Sequence, residues 1–301
     1  MKTPASIWSA VAGSVWLLTL CSCTGTSPIR IPFTLTTADN LSVRAMLNGT
    51  DAVDLMFHTA IDSVSLTKAA VAKAASFRAD GTATVRSWGG SATARHSTGN
   101  TLQIGPLVFR DLAITESDNS GPGTDGKFGP NLFAGRVLEI DFDAGEIVLH
   151  DTLPALGSQW QRLDLLVRDG SLFVVGEVAV GERRYPTEFL LHSGFGGAAL
   201  LDEQFVQMHG LDAQLVTIRE NELRDSYGNV VKTRTVRLPS LQLGTLVFRD
   251  VPVGIFDGAL GARRMSILGG GLLKRCNLML DIGNGQLYVA PSGRMATPFG
   301  S

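Results

Sequence analysis

Apolar runs that end in a single polar residue occur at two places in the chain. Leu55-Met56-Phe57 leads into His58-Thr59-Ala60, and Phe189-Leu190-Leu191 leads into His192-Ser193-Gly194. A continuous apolar run followed by a hydroxyl and a small residue is typical of a buried strand that ends in a tight turn. The pattern therefore predicts two buried strands, each of which presents one histidine at a turn.

The wider pattern of apolar and polar positions also repeats, with a period near 139 residues. Residues 102–111 reappear as residues 241–250, 139 positions later, and eight of the ten residues are identical. Residues 140–149 parallel residues 280–289 in the same order along the chain. This period is far longer than that of a solenoid repeat, so we expect two domain-sized lobes, each with its own core.

Composition supports an all-β protein with few helices. The chain has 301 residues, 44% of them hydrophobic and 18% charged, which is enough apolar material for one or two cores. Thirty-four glycines and turn dipeptides such as Asn48-Gly49 and Asn284-Gly285 favour hairpins. The net charge is −2 and the basic residues are scattered, which argues against a nucleic-acid partner.

The first 23 residues have the pattern of a targeting segment. Lys2 precedes an apolar stretch at residues 7–20, and Leu20-Cys21-Ser22-Cys23 resembles the bacterial lipoprotein signal. The resemblance implies that Cys23 is lipidated and becomes the mature N-terminus. Thr24 follows it, which implies a lipoprotein anchored in the outer membrane and facing the periplasm. An ordinary cleaved signal peptide is the alternative, and an uncleaved anchor is disfavoured because the apolar run is shorter than the ~20 residues needed to span a bilayer.

We expect the exported chain to lack a disulfide framework, with Cys276 as a buried, inert thiol. The segments we predict are a tether at 24–32, an N-terminal lobe at 33–151, a linker at 152–160, a C-terminal lobe at 161–291 and a loosely packed tail at 292–301.

Both lobes resemble the pepsin-like and retropepsin-like aspartic peptidases. The resemblance rests on the two turn motifs, on the aromatic-Gly pairs at Trp88 and Tyr227, and on Ile267-Leu268-Gly269, with a weaker copy at Phe128-Gly129. It implies an all-β, two-lobed pepsin-like fold (a duplicated retropepsin-like fold) in one monomeric chain, with a central cleft. It also implies that Trp88 and Tyr227 lie on flap hairpins over a ligand, although each aromatic could instead pack on its own hairpin.

The chemistry departs from that family at the centre. The family carries an aspartate in each turn, and the two carboxylates share one proton, whereas this chain has His58 and His192. Asp54 and Glu188 each lie four residues before a histidine, about 13 Å short of the turn at ~3.3 Å per strand residue. Shifting the alignment therefore does not restore an acidic pair.

The remaining turn residues keep the family's pattern. Thr59, Ser193 and Gly194 stand in the family's places, and the resemblance implies that the two hydroxyls brace the turns against each other. Ala60 replaces the usual glycine in lobe one.

Several functions fit this pattern. The first is a catalytically inactive homologue that binds a peptide or other extended ligand in the cleft, without a cofactor. The alternatives are a hydrolase that uses the His58 and His192 pair, a metal-assisted hydrolase in which His96 adds a third ligand, and a structural envelope protein whose two histidines serve only stability. Burial lowers the pKa of histidine and so removes the charged form that would polarise a carbonyl, which favours loss of catalysis.

Overall fold

The computed structural model describes residues 27–87, 90–256 and 265–299. The predicted targeting segment at residues 1–23, with Cys23, and the aromatic Trp88 lie outside these residues. Within them the chain is built from strands, with three helices of six residues or fewer, which confirms the all-β prediction. No helix in these ranges is long and apolar enough to cross a membrane.

The first half of the chain forms eleven strands and one helix in the described ranges. They are β1 (Ile29–Pro32), β2 (Thr34–Leu35), β3 (Leu41–Leu47), β4 (Asp51–Phe57), β5 (Val64–Thr67), α1 (Lys68–Lys73), β6 (Gly81–Ser87), β7 (Gly90–Ile104), β8 (Leu107–Ser117), β9 (Gly126–Phe128), β10 (Val137–Asp141) and β11 (Glu146–His150). A 3₁₀ turn at Pro130–Phe133 follows β9.

The second half repeats this plan. Its elements are β12 (Gln161–Asp164), β13 (Leu166–Arg168), β14 (Ser171–Val180), β15 (Arg183–His192), β16 (Ala199–Leu201), α2 (Glu203–Met208), β17 (Thr217–Arg224), β18 (Val230–Leu243), β19 (Leu246–Phe256), β20 (Ser266–Gly269), α3 (Gly270–Leu273), β21 (Cys276–Asp281) and β22 (Gln286–Pro291). A 3₁₀ turn at Ile282–Asn284 precedes β22.

Three sheets organise the two lobes. Lobe one has an eight-stranded sheet in the order β2-β3-β4-β9-β5-β8-β7-β6, and lobe two has one in the order β13-β14-β15-β20-β16-β19-β18-β17. The third sheet has the order β1-β11-β10-β21-β22-β12 and joins the lobes, because β10 of lobe one pairs with β21 of lobe two. The duplication predicted from the sequence is therefore present as two equivalent sheets on a shared platform.

Alternating burial explains why these segments form strands. In β3 and β14 alternate side chains point into the core and toward solvent, which is the period-two pattern of a sheet with one covered face. The apolar residues that precede each histidine, Leu55-Met56-Phe57 in β4 and Phe189-Leu190-Leu191 in β15, are instead buried without interruption, as in a strand that is covered on both faces. These two central strands carry the histidine turns.

Two segment boundaries differ from those predicted. The tether at 24–32 contains β1, which pairs antiparallel with β11 through Ile29 opposite Leu149. This pairing joins residues more than 100 positions apart, and local sequence contains no sign of it. The tail is packed through residue 299: Nη2 of the buried Arg275 donates to the Thr297 carbonyl at 2.8 Å, and its guanidinium lies 3.8 Å from the Phe299 ring.

Cys276 is fully buried in β21 of the shared platform. It is a free cysteine, and burial raises the pKa of its thiol to about 12. A thiol held protonated in this way is a poor nucleophile, as expected for a structural core residue.

Candidate functional site

The two histidines stand at the ends of the central strands. His58 follows the last residue of β4, and its N–H donates to the Phe128 carbonyl of β9 at 2.9 Å. His192 is the last residue of β15, where it lies opposite Gly269 of β20. In each lobe, the strand that carries the histidine therefore pairs with a neighbouring parallel strand, β9 or β20, which supports the turn.

Glycine is required at the end of both supporting strands, directly after β9 at Gly129 and as the last residue of β20 at Gly269, because the turns approach closely there. A Cβ atom at Gly129 would lie 2.0 Å from the Ile61 carbonyl oxygen, and one at Gly269 would lie 2.2 Å from the Gly197 carbonyl oxygen. No side chain fits in that space. The Ile267-Leu268-Gly269 motif and its weaker copy at Phe128-Gly129 thus fix the positions of the two histidine turns.

The imidazoles of His58 and His192 face each other across the interface of the lobes. Their ring centroids are 4.5 Å apart and the ring planes are inclined by 59°. His58 is 6% exposed, and His192 is partly buried. The duplication therefore brings together two residues that are 134 positions apart in the sequence.

The hydroxyls of Thr59 and Ser193 cross-link the two turns. Thr59 N–H donates to Ser193 Oγ at 3.0 Å, and Ser193 N–H donates to Thr59 Oγ1 at 3.0 Å. Each hydroxyl also donates to a carbonyl of the opposite strand, Thr59 to Leu191 and Ser193 to Phe57, both at 2.7 Å. All four hydrogen bonds are buried, so the geometry of the histidine pair is rigidly determined.

A backbone hydrogen bond indicates which ring nitrogen of His58 carries the hydrogen. The Ala60 N–H donates to His58 Nδ1 at 3.2 Å, so the ring hydrogen of the neutral imidazole lies on Nε2. That side of the ring rests on Gly194, where a Cβ atom would stand 2.3 Å from Nε2. Lobe two therefore needs its glycine to accommodate the imidazole of lobe one.

Both imidazoles are held in the neutral form. Burial, together with the nearby His192 and Lys127, lowers the pKa of His58 well below its usual value of 6.5. Burial also lowers the pKa of His192 to about 4. At neutral pH the centre of the cleft therefore contains two uncharged rings in place of the family's single shared negative charge.

The two acids that precede the histidines by four residues form ion pairs elsewhere. Asp54 pairs with Arg44 at 2.9 Å, and Glu188 forms two hydrogen bonds of 2.6 Å with Arg168. Both are partly exposed ion pairs on the flanks of the lobes. They occupy equivalent positions in the two lobes, and neither provides a catalytic acid.

His96 lies apart from the central pair. It belongs to β7, opposite Gly81 of β6, and its Nε2 is 3.6 Å from Asp80 Oδ1. Across the residues that the structure describes, no three His, Cys, Asp or Glu side chains stand close enough together to hold a metal ion. His96 therefore does not join His58 and His192 in the metal site considered from the sequence.

A small cavity of about 120 Å³ lies over the two imidazoles. One wall is apolar and includes Leu200, Phe256 and Ile267, while the polar wall brings in Lys127, which is 7% exposed. Sequence reasoning did not identify Lys127 as a site residue. The available signal was a break in the repeat, since Lys127 stands where lobe two has Ile267.

The lobe-two hairpin closes this cavity. Its tip, between β17 and β18, reaches across to lobe one, where the amides of Asp118 and Asn119 donate to the Ser226 carbonyl at 2.8 and 3.3 Å. Lys127 Nζ of lobe one also donates to Ser226 Oγ. Tyr227 is thus at the tip of a closed hairpin, whereas its predicted counterpart Trp88 falls outside the described residues.

A larger groove continues from the cavity beneath the same hairpin. It has a volume of about 850 Å³, and it shares Phe195, Leu200 and Leu223 with the cavity. Its polar lining includes Arg219 and Arg237 from the hairpin strands. The space over the histidine pair is therefore the narrow inner end of a longer channel.

Comparison with known proteins agrees with this architecture. Residues 175–272 match the aspartyl protease family profile, a segment that includes the His192 turn, the lobe-two hairpin and the Gly269 motif. The crystal structure of an aspartic proteinase from Irpex lacteus superposes with a TM-score of 0.63 over 91% of this chain and 100% of that chain, at 13% sequence identity. No curated protein sequence matches the chain. The chain thus has the two-lobed pepsin-like fold, and its residues 175–272 resemble the aspartyl proteases.

Proposed function

We propose that this protein is a catalytically inactive homologue of the aspartic peptidases that binds an extended ligand, such as a peptide, in the cleft between its lobes. The observation that carries the proposal is the replacement of both central acids by His58 and His192, whose ring centroids are 4.5 Å apart on turns that keep Thr59, Ser193 and Gly194.

The chemistry of the pair favours loss of catalysis. The family's reaction needs one carboxylate to take a proton from water and a second, protonated carboxyl group to polarise the carbonyl. A neutral imidazole can accept a proton, but the low pKa of both rings removes the protonated partner at neutral pH. A His-based hydrolase would need one charged ring in a site that disfavours charge.

The binding role is supported by the shape of the channel. The groove under the hairpin, about 850 Å³, is in the range of ligand-binding clefts. Strand β17 is the terminal strand of its sheet and lines this groove through Arg219, Asn221 and Leu223. An extended peptide can add to such an edge by main-chain hydrogen bonds, while side-chain pockets select its sequence.

We further propose that the protein works at the cell envelope, held there by a lipid on Cys23. The support for this is the sequence pattern at residues 20–23, which resembles the bacterial lipoprotein signal. Metabolic labelling with a palmitate analogue should mark the wild type and not a Cys23→Ala variant.

Ligand binding can be tested by passing a peptide library and a detergent extract of cell envelopes over the immobilised protein. Retention that falls at least tenfold in Arg219→Ala supports the cleft as the binding site, because Arg219 lines the groove. The matched control is Arg249→Ala, at an exposed arginine of β19 outside the groove. No retention, or equal retention by both variants, would contradict the proposal.

A further inference from the structure

The hairpin tip occupies a set of hydrogen-bond donors on lobe one. Three donors converge on Ser226: Lys127 Nζ on its hydroxyl, and the amides of Asp118 and Asn119 on its carbonyl. Lys127 is nine-tenths buried, so its ammonium group has little access to water. One serine thus accepts hydrogen bonds from a buried ammonium group and from two backbone N–H groups.

We propose that Lys127 and the amides of Asp118 and Asn119 form a carboxylate-binding subsite, which Ser226 occupies while the hairpin is closed. A carboxylate carries two acceptor oxygens and a negative charge, so it suits an ammonium and adjacent amides better than a neutral serine does. The subsite rests on the proposed ligand-binding role of the cleft.

The neighbouring Asp225 explains why a negative charge is needed. Asp225 is 1% exposed and its charge acts on Lys127. Its carboxylate also accepts three hydrogen bonds of 2.9 Å within the hairpin tip, from the Tyr227 amide and from the amide and side chain of Asn229. When the hairpin lifts, Asp225 therefore leaves together with Ser226.

Opening without a replacement anion would separate Lys127 from the carboxylate of Asp225, whose charge acts on it in the closed state. The loss of this charge pairing disfavours opening. An incoming carboxylate removes that penalty, so ligand binding and hairpin opening are coupled. The carboxylate of Asp118 does not fill this role, because it pairs with Lys68.

The repeat shows that the subsite belongs to lobe one. Lys127 of β9 lies opposite Met56 of β4. The equivalent residue of lobe two is Ile267 of β20, which lies opposite Leu190 of β15. Ile267 belongs to an apolar cluster and has no donor. Two equivalent scaffolds thus differ at the residue that meets the hairpin tip, which gives the channel one polar end.

The small size of the cavity limits what can bind while the hairpin tip stays in place. A cavity of about 120 Å³ compares with the ~150 Å³ cavities that take one benzene molecule. A peptide residue that reaches Lys127 must displace the hairpin tip. The carboxylate can come from an acidic side chain or from a free C-terminus, and the two sources share the same chemistry at Lys127.

The test is an NMR titration of the full-length chain with four small probes. N-acetylglycine is compared with N-acetylglycinamide for the C-terminal source, and acetyl-aspartyl amide with acetyl-asparaginyl amide for the side-chain source. We expect at least one carboxylate to bind about tenfold more tightly than its amide, equivalent to ~1.4 kcal/mol, with shifts at the amides of Asp118 and Asn119. Amide exchange at residues 226–229 should become faster as the hairpin leaves.

Variants should change this preference in opposite directions. Lys127→Met should abolish it and Lys127→Arg should retain it, while Ser226→Ala should strengthen carboxylate binding severalfold because the internal competitor is weakened. Lys73→Met, at an exposed lysine of α1, is the matched control and should leave it unchanged. Equal binding of acid and amide by the wild type, a preference that survives Lys127→Met, or weaker binding in Ser226→Ala would each overturn the subsite.

The two proposals can fail separately. Carboxylate preference without retention of any peptide or extract component would overturn the extended ligand and support the subsite. Peptide retention without carboxylate preference would overturn the subsite alone.

Discussion

The imidazole of His58 lies against the backbone of Gly194, so that a Cβ atom at position 194 would stand 2.2 Å from His58 Cδ2. We predict that Gly194→Ala destabilises the protein by about 1–3 kcal/mol, because the ring must shift within a packed and cross-linked site. Urea unfolding measures the change, and the His58 ring resonances should move with it.

Gly283→Ala is the matched control for this substitution. A Cβ atom at position 283 would have no neighbour within 4 Å. Its effect should stay within about 0.5 kcal/mol, as for an ordinary surface position. Equal stability of the two variants would show that His58 does not occupy the position described.

The cross-links between the turns predict a coupled loss of stability. Thr59→Val leaves the Ser193 amide without its hydroxyl acceptor, and Ser193→Ala does the same to the Thr59 amide. Each change should cost about 1–3 kcal/mol, since a buried N–H is left unpaired. The double variant should lose less than the sum of the single losses, because both changes act on one network.

Chemical denaturation of the four proteins in this cycle gives the coupling energy. Thr93→Val, at an exposed position of β7, serves as the control for exchanging a hydroxyl for a methyl group and should be nearly neutral. Strict additivity of the two single losses would contradict the cross-linked arrangement.

The low pKa of His192 predicts a loss of stability as the pH falls. The native pKa is about 4 against 6.5 for the free side chain, so the unfolded state binds the proton more readily. The stability contributed by the neutral ring is complete above pH 6.5 and is lost as the pH falls toward 4. From His192 alone the loss between pH 7 and pH 5 should be about 2 kcal/mol.

The comparison that isolates this effect is unfolding of the wild type and of His192→Gln at matched pH values. The other titrating groups are common to both proteins, so the difference in slope reports His192. Parallel pH profiles, or an NMR titration midpoint of His192 at or above 6.5, would contradict the burial of this ring.

Much of the fold could be predicted because the duplication is visible in the sequence. The copies at residues 102–111 and 241–250 locate equivalent hairpins, and the two apolar runs before the histidines locate β4 and β15. The meeting of His58 and His192 follows from the same symmetry. Local sequence patterns therefore predicted the strands that end at the histidine turns.

The features that sequence reasoning missed depend on contacts between distant segments. The pairing of Ile29 with Leu149 and the packing of Phe299 on Arg275 have no local signature. Lys127 stands between Gly126 and Phe128 with no motif of its own, and its partner Ser226 is 99 positions away in the other lobe. The difference between Lys127 in lobe one and Ile267 in lobe two is visible in the repeat. Only the structure shows that Lys127 contacts Ser226.

The most direct test of the central claim is peptide cleavage across pH 3 to 8 by the wild type and by the double variant His58→Asp with His192→Asp. The wild type should cleave neither unfolded casein nor a peptide pool. The double variant restores two carboxylates on the intact turns, so cleavage should appear at acid pH, about 100-fold or more above the wild type, and the single variant His58→Asp should lack it. Cleavage by the wild type that disappears in His58→Ala would contradict the account.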